Sequence, residues 1–331
     1  MKTKFFRVLL SDKISFFSFG VIVFFLFLAL FSPFIASGYP LLIWENKTQK
    51  NLPVSPLWNS FIDEDTSIHE KHYKEWVATG KISALFPVIP HSPYEKDLSI
   101  ILTPPSWGKF GNIMGTDELG RDVASRMVHG AKNSMLIGLV AVGISLAFGI
   151  IIGSVAGYFG GWVDTFLSRI IEIVIVFPTL ILIMAVLAIM KPSLFNIMVV
   201  IGLTGWTSTA RVIRGEFLKR KNYDFVHASR SAGASHLRLI VVHILPNSLA
   251  PVTVMAAFGI ASAVLFESSL SFLGIGVQPP EPSWGQILNA SQPYMDFAWW
   301  MTFFPGFFIF LVVLSYNILG DNIRKFTSSD Y

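Results

Sequence analysis

The side chains able to do chemistry fall into three small sets. Asp117, Glu118 and Asp122 lie close together. They have the oxygen donors a hard cation takes. The same acids also suit the capped first turn of a helix, where Thr116 or Asp117 accepts from backbone N–H groups and negative charge meets the helix dipole. Leu119, Val123, Met127 and Val128 recur on one face, so a capped, amphipathic interfacial helix is the preferred reading. His227, His236 and His243 share one loop, and His69, His72 and His91 another. Neither set has zinc-ligand spacing, which leaves them as surface or interfacial histidines. The chain has no cysteine, which removes disulfides and thiolate metal sites. It has no Gly-x-x-x-x-Gly-Lys-[Ser/Thr], no Gly-x-Ser-x-Gly and no His-Glu-x-x-His. Nucleotide hydrolysis, serine hydrolysis and zinc proteolysis therefore have no motif here. The chain is read as a non-enzyme, without catalytic residues, a metal or a cofactor of its own.

The elements around these residues are apolar. Of 331 residues, 53% are hydrophobic, 14% are charged and 30 are Phe. A soluble domain carries about 25% charged residues. Runs without Asp, Glu, Lys or Arg cover 14–44, 133–163, 173–190, 192–210, 239–266 and 297–320. Each approaches or exceeds the roughly 20 residues that cross a bilayer as a helix. They are continuously apolar rather than alternating, which excludes a β-barrel. The reading is an all-α polytopic membrane protein with six spans, near 14–35, 134–158, 170–190, 194–210, 248–266 and 299–319. A cleaved signal peptide ending near Ala36-Ser37-Gly38 is the competing reading of the first run, whose apolar part is too long for a signal core.

Between the spans, 1–13 is short and basic, and 326–331 is a short tail. Residues 36–131 form a long water-facing segment, with a short helix expected near 69–77 and no assigned fold. The remainder, 132–325, is a transmembrane core holding spans two to six and the loop 211–246. Seven Lys or Arg fall in 211–246 (Arg211, Arg214, Lys219, Arg220, Lys221, Arg230 and Arg238), against Lys191 alone between the third and fourth spans. Basic bias places this loop and both termini in the cytoplasm. The net charge of +4 follows that topology and does not point to nucleic acid. Gly149, Gly153 and Gly157 recur every four residues, a row that lets another helix approach closely. Pro178 is expected to kink the third span, and Arg169 can pair with Glu172 one turn away. After the fifth span, 267–290 is rich in Gly and Pro and is read as a re-entrant or interfacial segment. Within it Glu267, Phe272, Gln278 and Trp284 are candidates for an outer gate or path. For Glu267, a snorkelling interfacial carboxylate is the preferred alternative.

The stretch 223–246 is a moderately polar island between apolar blocks. Small residues at Ala228, Ser229, Ala232, Gly233, Ala234 and Ser235 permit a short helix, a tight turn and a second helix. Pro246 is expected to close the element. The pattern resembles the cytoplasmic signature of ABC importer permeases, in which Glu-Ala-Ala is followed by three residues, Gly, nine residues and Ile-x-Leu-Pro. Here His227-Ala228-Ser229, Gly233 and His243-Ile244-Leu245-Pro246 occupy those places. His227 replaces the glutamate, Ser229 an alanine and His243 an isoleucine. Three further blocks, 115–122, 157–161 and 271–278 with Pro279-Pro280, resemble the second permease of the dipeptide/oligopeptide/nickel group.

That resemblance implies the type I importer permease fold in a bacterial inner membrane. Tyr223, His227, Ala228, Ser229, Ala232, Gly233, Ala234, Leu245 and Pro246 would form a coupling helix docked on an ATPase. It further implies a second, homologous permease subunit as heterodimer partner, two cytoplasmic ATPase subunits that hold ATP and magnesium, an outer solute-binding protein, and membrane lipid. A secondary transporter or channel is the alternative, but it calls for charged mid-membrane residues or internal repeats. A membrane-anchored receptor is a third reading, for which six spans are excessive.

Overall fold

The computed structural model describes residues 12–45, 67–80, 82–108, 111–191 and 193–329. Most of the basic amino-terminal stretch, the acidic run Asp63-Glu64-Asp65 and the last two residues lie outside them. The described helices are α1 (Lys13–Ile35), α2 (Ser67–Ala78), α3 (Val123–Phe159), α4 (Gly161–Val176), α5 (Thr179–Ile189), α6 (Leu194–Arg220), α7 (Asp224–Ser231), α8 (Ala250–Phe272), α9 (Trp284–Ser291) and α10 (Trp299–Ser329). Between α7 and α8 run short helical turns from His236 to Ser248. Two strands, β1 (Leu42–Glu45) and β2 (Ile82–Leu85), pair antiparallel with Leu42 opposite Leu85. The outer segment thus holds a small sheet that an all-α reading did not contain.

Among the described residues, α1, α3, α8 and α10 are each long and apolar enough to cross a membrane. Helices α4 and α5 together meet the same test but bend by 86° at their junction. Pro178 sits at this break with φ −57 and ψ 118. The expected kink is thus a sharp corner, where proline offers no N–H to continue the ladder. The count is four spans, or five if the bent pair is one. Helix α6 has 27 residues, ample length for a span at 1.5 Å per residue. Its middle reads Thr204-Gly205-Trp206-Thr207-Ser208-Thr209 and its second half carries Arg211, Arg214, Glu216, Lys219 and Arg220, and together these keep it below the apolarity of the others.

The chain divides into two compact units. One comprises Leu136–Glu267 with the two ends of the chain; the other comprises Val23–Met135 and Ser268–Phe310. In the first, α3 lies directly on α6. A Cβ on Gly149 would stand 2.5 Å from the Thr209 Cβ, and one on Gly157 would stand 2.6 Å from the Phe217 Cβ. Between them, Gly153 faces the Ala210 carbonyl and Ile213. The glycine row therefore lets two helix backbones touch, gaining dispersion contacts where lipid supplies no hydrophobic drive. Asp164 on α4 takes a two-pronged bond from Arg214 on α6, with Nη2 to Oδ2 at 2.7 Å. The Arg169–Glu172 pair forms at 2.6 Å, with side chains 72% and 56% exposed.

The second unit is built round buried charge and aromatic rings. Phe25, Trp284 and Phe308 pack edge to face with centroids 5.1–5.8 Å apart. Helix α2 is held by Lys74, which reaches Glu95 at 3.0 Å and His91 Nδ1 at 3.2 Å. Arg126, 1% exposed, contacts Asp117 at 3.4 Å, donates to the Pro93 carbonyl at 3.3 Å and bonds Gln286. Asp117 also accepts from Arg121 Nε at 2.7 Å and from the Leu119 and Arg121 amides at 2.9 Å. Asp122 accepts from Ser125 N at 2.6 Å and from Asn112 Nδ2 at 2.8 Å.

Asp122 therefore caps the helix, rather than Thr116 or Asp117, and α3 starts at Val123. Residues 114–122 form a turn, bridged from Thr116 to Asp122, with Gly115 and Gly120 at φ +77 and +69. Leu119 stands before the helix. The interfacial helix and the second span are one continuous rod. The acids are engaged with arginines, an amide and backbone N–H groups, and among the described residues none belongs to a metal-type cluster. Burial, and then the neighbouring Asp117 charge, push Glu118 above the usual carboxylate range. Burial also pushes Asp122 up.

Two stability outcomes follow. Gly157→Leu should destabilise the protein by about 1–3 kcal/mol or more through overpacking, whereas Gly143→Ala, with nothing within 4 Å of its Cβ position, should stay within about 0.5 kcal/mol. Thermal unfolding in detergent reads both. Arg126→Met should cost the second unit about 3–5 kcal/mol by stranding buried partners, against about 0–1 kcal/mol for Arg169→Met at the exposed pair. Hydrogen exchange across 93–126 measures the difference, and equal protection in the two variants would refute it.

Candidate functional site

The loop joining α6 to α8 is an exposed helix-turn-helix. Tyr223 starts α7 in extended conformation, and Asp224 supplies a negative charge to its first turn. The exit is set by backbone bonds. The Gly233 amide donates to the Arg230 carbonyl at 3.0 Å, and the Ala234 amide donates to the Ser229 carbonyl at 3.1 Å. This pair of bonds is a Schellman closure, which requires a left-handed residue just past the helix. Gly233 has φ +83, a conformation costing an L-residue about 1–2 kcal/mol. Ser235 then caps the next turn by accepting from the Arg238 amide at 3.4 Å.

The second arm is helical through His236–Arg238, wide-turned through Leu239–Ile244 and helical again through Leu245–Ser248. The Leu245 amide bonds the Ile240 carbonyl, five residues back. That wide turn sits beside Pro246, which has no N–H to give. The proline therefore lies inside the helical run and does not close it. The break comes at Leu249.

The loop is pinned from beneath. Val226, Leu239 and Ile244 are buried with Tyr158, Ile213, Phe217 and Val252, and Ala234 and Leu245 pack against this cluster. Tyr158 Oη lies 2.7 Å from His236 Nδ1, and Lys221 Nζ donates to the Gly157 carbonyl at 3.1 Å. Tyr158, Lys221 and His236 are supports that motif reading missed. His236 was read only as a surface or interfacial histidine and Lys221 only as part of the basic bias, while Tyr158 lay within one of the resembling blocks. On the outer surface Tyr223, Phe225, Leu237, Val241 and Val242 are exposed. His227, Ala228, Ala232 and Gly233 are exposed with them. Ser229 bonds back to the Phe225 carbonyl at 2.8 Å. A Cβ at Gly233 would meet nothing within 4 Å. The result is a knob pinned from one side, whose exposed surface mixes apolar and small residues with Asp224, His227, Arg230 and Arg238.

The four candidates for an outer path separate. Glu267 is completely buried, so it is not a snorkelling surface carboxylate. Trp284 is also fully enclosed, donating Nε1 to the Met127 carbonyl at 3.0 Å. Within this chain it is a core residue and does not face an opening. Phe272 is 39% exposed, and its carbonyl holds Asn289 and Gln292 at 2.7 and 3.0 Å. Gln278 is exposed and folds onto the Gly274 and Gly276 carbonyls at 3.0 and 3.1 Å. The last two thus brace the segment between α8 and α9.

The family described as "Binding-protein-dependent transport system inner membrane component" matches residues 149–328. The chain is 39% identical over 275 residues to a di/tripeptide transport system permease protein, DppC, of Pseudomonas aeruginosa, covering 82% of this chain and 90% of the relative. It is 40% identical to dipeptide transport system permease proteins DppC of Haemophilus influenzae and Escherichia coli K12, over 247 and 240 residues. These alignments cover 73% and 72% of this chain, and 84% and 80% of the relatives. A solved chain of the MetNI methionine ABC transporter in an inward-facing conformation has TM-score 0.49 and 18% identity, covering 60% of this chain and 95% of its own. The match extends over the knob and the helices on either side of it, and the chain belongs to the family of binding-protein-dependent transport system inner-membrane components, the permeases of ABC importers.

Proposed function

We propose that this chain is one of two permease subunits of an ATP-driven importer for di- or tripeptides, with the 223–246 knob as its contact to a cytoplasmic ATPase. The observation that carries the reading is the knob itself. Its backbone is closed by Gly233 and its inner face is locked to α3 and α6, while its outer face offers aromatic and small residues to something else. A rigid peg between two long helices passes a partner's movement to them as a rigid-body displacement. The named functions of the relatives supply the solute class.

In this reading α6 and the α4–α5 pair complete six spans of the type I importer permease fold. Both termini and the knob face the cytoplasm, consistent with the seven Lys or Arg of 211–246 and the positive-inside tendency. A second, homologous permease closes the path. Two ATPase subunits hold ATP and magnesium, for which this chain has no P-loop. A solute-binding protein delivers cargo from outside.

Two substitutions separate backbone shape from docking. Gly233→Ala and Gly233→Trp carry the same backbone penalty of about 1–2 kcal/mol, and a Cβ here meets nothing within 4 Å. Only a docked partner would feel the indole. The expected result is a similar melting temperature for both variants, with co-purification of the ATPase subunits and ATP-driven uptake lost for Gly233→Trp and largely kept for Gly233→Ala. Equal ATPase retention by both variants would sink the coupling role.

A further inference from the structure

We propose that a hydroxyl-lined cleft in the first unit is a solute-contact site for the N–H-bearing backbone of a short peptide. The proposal rests on the permease reading and adds to it where, and by what chemistry, the cargo is touched. The cleft has a volume of about 440 Å³, within the roughly 300–1,000 Å³ of small-molecule sites. Helices α3, α6 and α8 each bring hydroxyls to it: Ser145 from the first, Thr204 and Ser208 from the second, Ser262 from the third. Met255 and Phe258 supply an apolar wall. None of its lining residues is Asp, Glu, Lys or Arg.

Hydroxyls on one apolar helix are ordinary, because each can bond its own backbone. Convergence of three helices on one opening is harder to explain by packing. It also gives a place to the run of hydroxyls in the middle of α6, Thr204, Thr207, Ser208 and Thr209, all of which line the cleft. Polar residues at such depth are retained where they face a cavity or a path. Room is made for them by Gly205, where a Cβ would stand 3.1 Å from Ser145 Oγ.

The chemistry follows from where the protons go. Thr204 donates to the Val200 and Ile201 carbonyls, both at 3.0 Å, and Ser208 donates to the Gly205 carbonyl at 3.1 Å. What those two present to the cleft is oxygen lone pairs. They suit N–H donors, which every peptide carries whatever its side chains. With no fixed charge, the cleft neither traps one terminus nor rejects a charged side chain outright. A path must bind weakly enough to release. The flexible Met255 wall adapts to side chains of different shape.

The test uses the complete importer in proteoliposomes with its binding protein, comparing radiolabelled alanyl-alanine and lysyl-alanine. ATP-dependent uptake by the wild type stands for the permease reading; its absence would remove that reading and the site with it. Given wild-type uptake, Ser262→Asp should change the ratio of lysyl-alanine to alanyl-alanine uptake by about tenfold, the effect of some 1.4 kcal/mol of charge preference. Thr204→Val, which keeps shape and removes the acceptor, should lower uptake of both peptides about three- to tenfold. Because the chain has no cysteine, Ser145→Cys and Ser262→Cys give a readout independent of turnover. Both should react with a small water-soluble methanethiosulfonate in the assembled complex, and millimolar alanyl-alanine should slow the reaction. An unchanged peptide ratio in Ser262→Asp, or thiols that stay unreactive with and without ATP, would overturn the site while leaving the permease reading intact.

Discussion

The close approach of α3 and α6 is the contact on which the first unit depends. In lipid, helices gain little from burying apolar surface against each other, because the surrounding tails are equally apolar. Association must come from fit. Three glycines on one face of α3 remove the side chains that would hold α6 away, and Thr209, Ala210, Ile213 and Phe217 fill the groove. The last of these contacts is also the first of the knob, since Phe217 lies over Gly157 and belongs to the same buried cluster as Val226 and Leu239. A seam that begins as helix packing thus ends as the foundation of an exposed turn. The Asp164–Arg214 bond fastens α4 to α6 close to the same level.

Much of this was legible because backbone requirements leave few residue choices. A glycine every fourth residue marks a helix face. A glycine behind small residues in a polar loop marks a left-handed exit from a short helix. Pro178 announces an interruption, though not an 86° corner, since one missing N–H says that the ladder breaks and not where the chain turns next. What escaped depended on neighbours distant in sequence. Trp284 looked like a path residue because it follows a Gly/Pro-rich stretch, yet its indole N–H is taken by the Met127 carbonyl, 157 positions away. Glu267 sits near a span end, and position alone could not separate a surface carboxylate from one completely buried. Thr116, Asp117 and Asp122 are all cap-forming types; the Thr116 hydroxyl is taken by Ile100 and Thr103 and Asp117 by Arg121 and Arg126, which leaves Asp122 to cap α3.

The second unit, Val23–Met135 with Ser268–Phe310, is ordered in another way. Few long apolar faces are available in its loops, so order comes from charge taken out of water. Arg126 joins Asp117, the Pro93 carbonyl and Gln286, which are drawn from three separate stretches of chain. Tyr94, with its phenol pushed up to about 12 by burial and the Glu281 charge, keeps its proton and donates to that carboxylate at 3.3 Å. Asn133 holds the adjacent Pro282 carbonyl at 2.8 Å. Buried charge is a poor source of net stability, but it is intolerant of wrong pairings. Such a network holds the Pro-rich segment before α9 at Glu281 and Pro282.

Helix α6 brings the two proposed functions onto one rod. Thr204 faces the cleft, and Arg220 ends the helix at the knob. Sixteen residues separate them, about 24 Å of α-helix. The intervening stretch is the part clasped by the glycine row and by Asp164, so it cannot easily bend or unwind. In the proposed coupling role, a displacement of the knob would be passed along this clasped stretch. Rigid transmission of this kind needs no relay of side chains, only a helix held straight by its neighbours. The polar middle of α6 lines the cleft, and its second half is the part packed against the glycine row of α3, so the two proposed roles would fall on adjoining parts of one helix.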